Sequence, residues 1–311
     1  RLVMGDTSHT PWDAGTFGSR TTPTMAPVMR KMAATAREAL LDEAAKVWKV
    51  DRAGLTAADG CVLQAGSKKI GFGELAAKLD WVSVLGREGL TTPATAWKAA
   101  GTSLPKVNAG DLVSGRHKYT SDQKLPGMLF GRVLRPPSFG ARLISVDTAR
   151  ASKMAGVTVI RDGDFIGVAA TDEHKAGKAL ESIEAKWEEQ PHPVGTKELF
   201  SYLVKDASGS PDATYTVSYI AHVPLEPRAA LAEWKDGKLT LWTGTQRPFG
   251  VRSEAASAFG MSEPQVRVIM PDTGSAYGGK HSGECAIEAA RLAKGAGKPV
   301  KLIWTREEEF T

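Results

Sequence analysis

The 311-residue sequence predicts an α+β protein, and three stretches carry that expectation. From Gln265 to Lys301 the chain reads as strand, glycine-rich loop, helix and strand. Val266, Val268 and Met270 favour a strand, Pro271, Asp272 and Gly274 end it, and Ser275-Ala276-Tyr277-Gly278-Gly279-Lys280 makes a tight loop. Ile287, Ala290, Arg291 and Lys294 then fall at helical spacing, and Gly297 with Pro299 stops the helix before VKLIW. Second, VTVIRDGDFIGVAA gives two strands joined at Asp162-Gly163. Third, Met25, Val28, Met29, Met32, Ala36, Leu40, Ala44 and Val47 lay an apolar core stripe along one long helix that starts at Thr22-Pro23.

Composition sets the outer bounds. With 42% hydrophobic residues the chain can bury a substantial core, and its length suggests two or three domains. No uninterrupted apolar run reaches the ~18 residues a membrane span needs. The net charge of +5 comes from interspersed residues. It forms no basic stripe, so no nucleic-acid partner is expected. Cys61 and Cys285 lack CxxC spacing and suggest neither a disulfide framework nor a zinc site. The opening RLVMGD and the end at Thr311 both read as cuts through a larger protein.

In chain order, Leu2 and Met4 suggest a strand, followed by a Thr/Ser/Gly/Pro-rich loop that is either a surface turn or a presenter of hydroxyls and N–H groups to a ligand. After the long helix, a hairpin is expected around Ala65-Gly66-Ser67, then a short helix at GELAAKL, and a linker over residues 82–108. PGMLFGRVLRPP and ARLISVDT read as strands, Thr148 to Met154 as a short helix, and EAKWEE as a closing strand. Thr171 is the expected cap of a helix whose Ala176, Ala179, Leu180 and Ile183 face inward. His117, His174 and Asp172 read as solvated. ATYTVSYIAHVPLEPRAALAEW is a long strand-like run broken by Pro224 and Pro227, KLTLWTGTQ a further strand, and Pro248 to Phe259 an amphipathic helix. Thr243 to Phe249 and Gly274 to His281 are loops at strand ends, the usual place for ligands in such sheets.

Candidate chemistry concentrates there. Glycines at a helix mouth let backbone N–H groups approach an anionic or metal-bound oxygen. Gly274 to Lys280 has the GxxxxGK spacing of a phosphate-binding loop, but the next residue is His281 where Ser or Thr would hold Mg²⁺. An ATP-binding module and a purely structural glycine turn are therefore the competing readings. His222 and Glu226 share one face of an extended segment and could wall a site, or form a structural hydrogen bond. No His or Cys cluster has ligand spacing, so no metal bound directly by this chain is expected.

These residues resemble a known family. TLWTGTQRPFGVRSEAASAFGMSEPQVRVIMPDTGSAYGGKHSGECAIEAARLAKGAGKPVKLIWTREEEF is similar to the molybdopterin-binding large subunit of the xanthine dehydrogenase and aldehyde oxidase family. PGMLFGRVLRPPSFGARLISVD resembles its α/β-hammerhead domain, and VMGDTSHTPWDAGTFGSRTTP a piece of its second molybdopterin domain. The position of that piece ahead of the hammerhead resembles the isoquinoline 1-oxidoreductase and membrane-associated aldehyde dehydrogenase branch. The resemblance implies three parts: 1–107, part of the second molybdopterin domain with a linker; 108–190, the hammerhead; and 191–311, an incomplete first molybdopterin domain.

It further implies a molybdenum hydroxylase that oxidises an aldehyde or hydroxylates an N-heteroaromatic compound with water-derived oxygen. The cofactor would be molybdopterin, alone or as its dinucleotide, and electrons would leave through iron–sulfur clusters on a partner subunit, with a cytochrome c as a further acceptor. By the resemblance, Gln246, Ala276, Tyr277, Gly278 and Gly279 contact the cofactor, and His222, Glu226 and His281 lie on the substrate side. His281 replaces the Glu of the xanthine enzymes and Ile220 a Gln near molybdenum, two departures from the family pattern. The general-base Glu is expected in the remaining part of the subunit, downstream of Thr311, so this chain alone is not expected to turn over. The family's loop between Lys205 and Asp212 is shortened here. The resemblance points to a periplasmic or membrane-associated location, with the cytoplasm as the alternative. A noncatalytic scaffold of the same fold, motivated by Ile220, His281 and the absent base, is the competing reading.

Overall fold

In a computed structural model every residue is described except 1, 65–67, 85, 87, 192, 193, 207, 210–212, 214 and 311. The turn expected at Ala65-Gly66-Ser67 and part of the 205–212 stretch thus lie outside the described residues. The chain forms two compact units, residues 16–109 and residues 1–15 with 110–311.

The 16–109 unit is built on α1 (Thr21–Trp48). Its C-terminal half packs Leu40, Leu41 and Ala44 with Leu55, Val62 and Ile70 of the antiparallel strands β1 (Leu55–Ala58), β2 (Cys61–Gln64) and β3 (Lys68–Gly71), and with Leu75 of α2 (Phe72–Ala76). The expected stripe is only partly core, since Val28, Met29, Met32 and Val47 are exposed. Helical period aligns residues on one face and says nothing about what covers that face. Residues 82–108 are more than a linker. α3 (Trp81–Val84) opens them, Gly89 N donates to Thr35 Oγ1 at 3.0 Å, and a Cβ on Gly89 would lie 2.2 Å from Thr35 N. Only a glycine lets the backbone lie this close to α1.

The larger unit runs through α4 (Ala109–Val113), β4 (Leu129–Val133), β5 (Arg142–Asp147), α5 (Ala149–Ser152), β6 (Val157–Asp162), β7 (Phe165–Ala170), α6 (Glu173–Glu181), β8 (Glu184–Glu188), α7 (Leu199–Val204), β9 (Ala229–Lys235), β10 (Lys238–Thr243), α8 (Pro248–Phe259), β11 (Val266–Ile269), α9 (Glu284–Ala296) and β12 (Val300–Ile303). Seven strands form one mixed sheet in the order β11-β10-β9-β12-β4-β7-β6, and β5 pairs with β8 apart from it. β12 is antiparallel to β9 and parallel to β4, so segments 108–190 and 191–311 share a sheet.

Three local expectations shift. The hairpin turn is Gly163-Asp164, with Gly163 at φ +62°, because Asp162 already pairs with Phe165. Asp172 rather than Thr171 caps α6, its carboxylate accepting from Lys175 N at 2.8 Å. The long strand-like run becomes a strand only from Ala229. Before it, Tyr215, Val217, Tyr219 and Ile220 lie in exposed backbone outside any strand, and Pro224 and Pro227 have no N–H to give a ladder.

The core centres on α9, which lays Cys285, Ala286, Ala289, Ala290, Leu292 and Ala293 on the sheet. Small side chains bring the helix close, and Leu292 enters a slot kept open by strand glycines. A Cβ on Gly131 would stand 2.5 Å from Leu292 Cδ1, and one on Gly167 would stand 2.6 Å from Cδ2. Burial pushes the Cys285 thiol well above its ordinary range, which keeps it neutral and unreactive.

The expected strand at Leu2 and Met4 does not form, since both side chains are exposed and unpaired in any ladder. Residues 5–7 instead add a short edge to β11. Met270 N donates to Gly5 O at 2.7 Å, Thr7 N donates to Val268 O at 3.0 Å, and Arg267 grips the Asp6 carboxylate at 2.6 and 3.0 Å. Among the described residues no helix is long and apolar enough to cross a membrane.

Filling the Leu292 slot tests this packing. Gly167→Val is expected to destabilise the larger unit by about 1–3 kcal/mol through overpacking, read by urea unfolding. The Arg267 hydrogen bond holds the Asp6 carboxyl below its ordinary value of 3.8. A depressed carboxyl contributes stability above its ordinary value, and that contribution is lost as pH falls through the folded-state value. Asp6→Asn is therefore expected to melt below the parent at neutral pH, with the gap closing as pH falls below the ordinary carboxyl value of 3.8, measured by thermal melts across pH.

Candidate functional site

The glycine loop leaves β11, crosses residues 274–280 and enters α9. Its backbone is bent into the left-handed region at Ser275 (φ +107°), Tyr277 (φ +59°) and Gly278 (φ +100°). Left-handed non-glycine residues persist only where surrounding contacts hold them, and they gather at ligand clamps.

Those contacts come from two neighbouring segments. The first is the turn after β10, where Gly278 N donates to Gln246 Oε1 at 2.7 Å, Gln246 N donates to Lys280 O at 3.0 Å, and Thr245 Oγ1 donates to Lys280 O at 3.1 Å. The second is the 222–228 segment. Glu226 Oε2 accepts from Lys280 Nζ at 2.7 Å and from Gly274 N at 2.9 Å, while Leu225 N donates to Ser275 Oγ at 2.9 Å. Lys280 is only 1% exposed. The lysine of a phosphate-binding loop reaches out to phosphate, whereas this one turns inward onto a carboxylate, so the ATP reading loses its principal cation.

The residues expected at the site are thus largely brought together. Gln246 is bonded to Gly278, and Ala276 O accepts from Gly279 N at 2.8 Å. Tyr277 is 67% exposed above the loop. His222 stands against the two glycines: a Cβ on Gly278 would lie 3.2 Å from His222 Nε2, and one on Gly279 would lie 3.1 Å from His222 Cβ. Glu226, expected beside His222, directs its carboxylate beneath the loop to Lys280. His281 follows at the loop's end, half-buried, and Ile220 lies exposed in the extended segment.

Several contributors were invisible in the sequence. Arg228 donates to Gly279 O and pairs with Glu309 at 2.9 Å. Its guanidinium and that of Arg135 lie 4.9 and 4.8 Å from the Trp304 ring centre, and Arg135 pairs with Glu288 and, at 2.7 Å, with Glu308. The acidic run REEEF after β12 was the available signal. Gly15, at φ +112°, packs on Gln246, where a Cβ would lie 2.5 Å from the Gln246 carbonyl oxygen. His117, expected in solvent, is mostly buried, with its Nε2 3.0 Å from Asp272 Oδ2 just before the loop.

The site opens at the bent loop. Its mouth carries the exposed Tyr277 ring and backbone bent at Ser275, Tyr277 and Gly278, with the Gln246 amide oxygen taken by Gly278 N and the Glu226 carboxylate neutralised below by Lys280. Gly278 and Gly279 let His222 pack against the loop more closely than a side chain would allow.

The fold defines an α+β protein, and comparison with known proteins identifies its class. Residues 1–118 and 201–311 each match the family described as molybdopterin cofactor-binding domain. The chain is 27% identical, over 99% of its length, to a nicotinate dehydrogenase chain of Pseudomonas putida, and 23% identical, over 95% of its length, to the beta chain of isoquinoline 1-oxidoreductase of Brevundimonas diminuta. Quinoline 2-oxidoreductase from Pseudomonas putida 86 shares the fold with a TM-score of 0.57 and 24% identity, covering 68% of this chain and 35% of that one. The chain spans 28% and 46% of the lengths of the two sequence relatives. It belongs to the molybdopterin-binding large-subunit family of the xanthine dehydrogenase and aldehyde oxidase type, a family of oxidoreductases.

Gly15→Ala tests the approach to Gln246. It combines a strained φ with a clash against backbone and is expected to cost about 1–3 kcal/mol, read as a lower melting temperature.

Proposed function

We propose that this chain is the cofactor-presenting part of a molybdenum hydroxylase acting on an aldehyde or an N-heteroaromatic compound. The observation that carries the reading is the pair of loops joined by the Gly278 to Gln246 hydrogen bond, with Tyr277 exposed at their mouth. In this reading Gln246, Ala276, Tyr277, Gly278 and Gly279 hold the molybdenum cofactor, as molybdopterin or its dinucleotide. When bound, the cofactor supplies the redox centre at which water-derived oxygen is transferred to substrate and electrons are taken up.

This chain's own residues bind and orient. Gly278 and Gly279 bring backbone close to the cofactor's ligands, and Gln246 fixes Gly278. Tyr277 walls the mouth and limits water, while His222 and His281 face the substrate and present imidazoles for hydrogen bonding. Residues 108–190 serve as the hammerhead domain, 191–311 as the first molybdopterin domain, and 1–107 as part of the second with its linker. Partners are the rest of the molybdopterin subunit, an iron–sulfur subunit and a cytochrome c acceptor, in a periplasmic or membrane-associated enzyme.

Elemental analysis of the assembled protein is the test. A stoichiometric molybdenum content is expected, and Tyr277→Ala is expected to reduce oxidation of aldehydes or N-heteroaromatics by about tenfold or more. Assembled protein devoid of molybdenum would sink the reading and favour the noncatalytic scaffold, which His281 and the exposed Ile220 also motivate.

A further inference from the structure

We infer that Glu226 and Lys280 are positioning residues: their buried ion pair sets the spacing between the Gln246 turn and the glycine loop, and thereby how tightly the cofactor is held. The inference rests on the cofactor reading above and assigns Glu226 a place under the site rather than in it.

The geometry forms a closed circuit. Glu226 Oε2 takes both Lys280 Nζ and Gly274 N, so one carboxylate oxygen ties the first residue of the loop to the last. The carbonyl of the same Lys280 accepts from Gln246 N and Thr245 Oγ1, and the Gln246 side chain returns to Gly278 N. Moving Lys280 therefore moves Gln246, and moving Gln246 moves Gly278. The third side of Glu226 is closed by the β10 turn, where a Cβ on Gly244 would approach Glu226 Oε2 to 3.6 Å. Arg228, two residues on, holds the Gly279 carbonyl. The loop is gripped at Gly274, Ser275, Gly278, Gly279 and Lys280, leaving Tyr277 exposed at its mouth.

Stability alone is a poor reason for this pair. Lys280 is 1% exposed and Glu226 14% exposed at the side chain, and Glu226 Oε1 is buried with no partner among the described residues. A desolvated pair with an unsatisfied oxygen recovers little over a well-packed apolar pair of similar size. What the charges supply and apolar groups cannot is direction: one oxygen aligned on two donors at opposite ends of the loop. Outer partners of this kind commonly alter cofactor affinity by about 10–100-fold when removed.

The experiment uses the assembled, cofactor-loaded protein and reads cofactor retention beside thermal stability. The variant is E226L/K280M, which removes both charges together and leaves no lone buried ion to unfold the site. Its melting temperature is expected to match the parent within a few degrees, while the cofactor is lost about tenfold faster during dilution. Lys280→Arg, which keeps a cation against Glu226, is expected to retain the cofactor better than the double variant, and its retention serves as the second measure if the double variant does not fold. Retention in E226L/K280M equal to the parent would overturn the proposal, as would Lys280→Arg losing cofactor as fast as a charge-free pair or as fast as Glu226→Gln. A parent protein that contains no molybdenum cofactor would instead overturn the reading beneath it, an outcome visible before any variant is made.

Discussion

A lysine with no access to water must find a carboxylate, and the region around the site is arranged to supply one. Lys280 enters the interior at the start of the turn into α9, and the 222–228 segment brings Glu226 to it. That demand explains why a segment bearing two prolines, unable to join a ladder over Pro224 to Pro227, still runs a fixed course beside the loop. It also explains why the turn after β10 and the 222–228 segment converge on the loop after β11: the turn bonds the Lys280 carbonyl and the segment bonds its ammonium.

A second set of charges ties this region to the sheet. Trp304, at the end of β12, has Arg135 and Arg228 near its ring and donates its indole N–H to Glu288 Oε2 at 2.8 Å. Each arginine has its own carboxylate after β12, Glu308 for Arg135 and Glu309 for Arg228. The acidic run therefore neutralises cations from two distant segments, and Arg228 carries the connection on to the Gly279 carbonyl. Planar guanidiniums suit this task, since they stack on an indole and bond carboxylates at the same time.

Local structure was legible where the sequence writes it locally. α8, α9, the β6–β7 hairpin and the glycine loop follow from period, proline and glycine punctuation, and turn pairs, all confined to short windows. The long-range contacts were not legible that way. Nothing near Gly15 states that it lies against Gln246, nothing near His117 names Asp272, and the lysine of GxxxxGK reads as outward-facing until Glu226 is seen beneath it. Gln246 and Tyr277 were singled out through family resemblance, since no spacing rule links a turn after one strand to a loop after another. The stripe on α1 and the run before Ala229 failed for a shared reason: alternation and helical period report which residues share a face, and burial depends on a partner the pattern does not name.

The exposed run before Ala229 has a practical consequence. Tyr215, Val217 and Tyr219 alternate as strand residues do, and Ile220 adds a further apolar side chain, yet no strand lies beside them among the described residues. Exposed backbone outside any ladder, carrying β-favouring side chains, is a template for an extended chain that meets it. Handled in isolation and at high concentration, this polypeptide carries its own seed for edge-to-edge association. Charged substitutions at Val217 or Ile220, outside the Glu226–Lys280 circuit, are the natural means of keeping it dispersed.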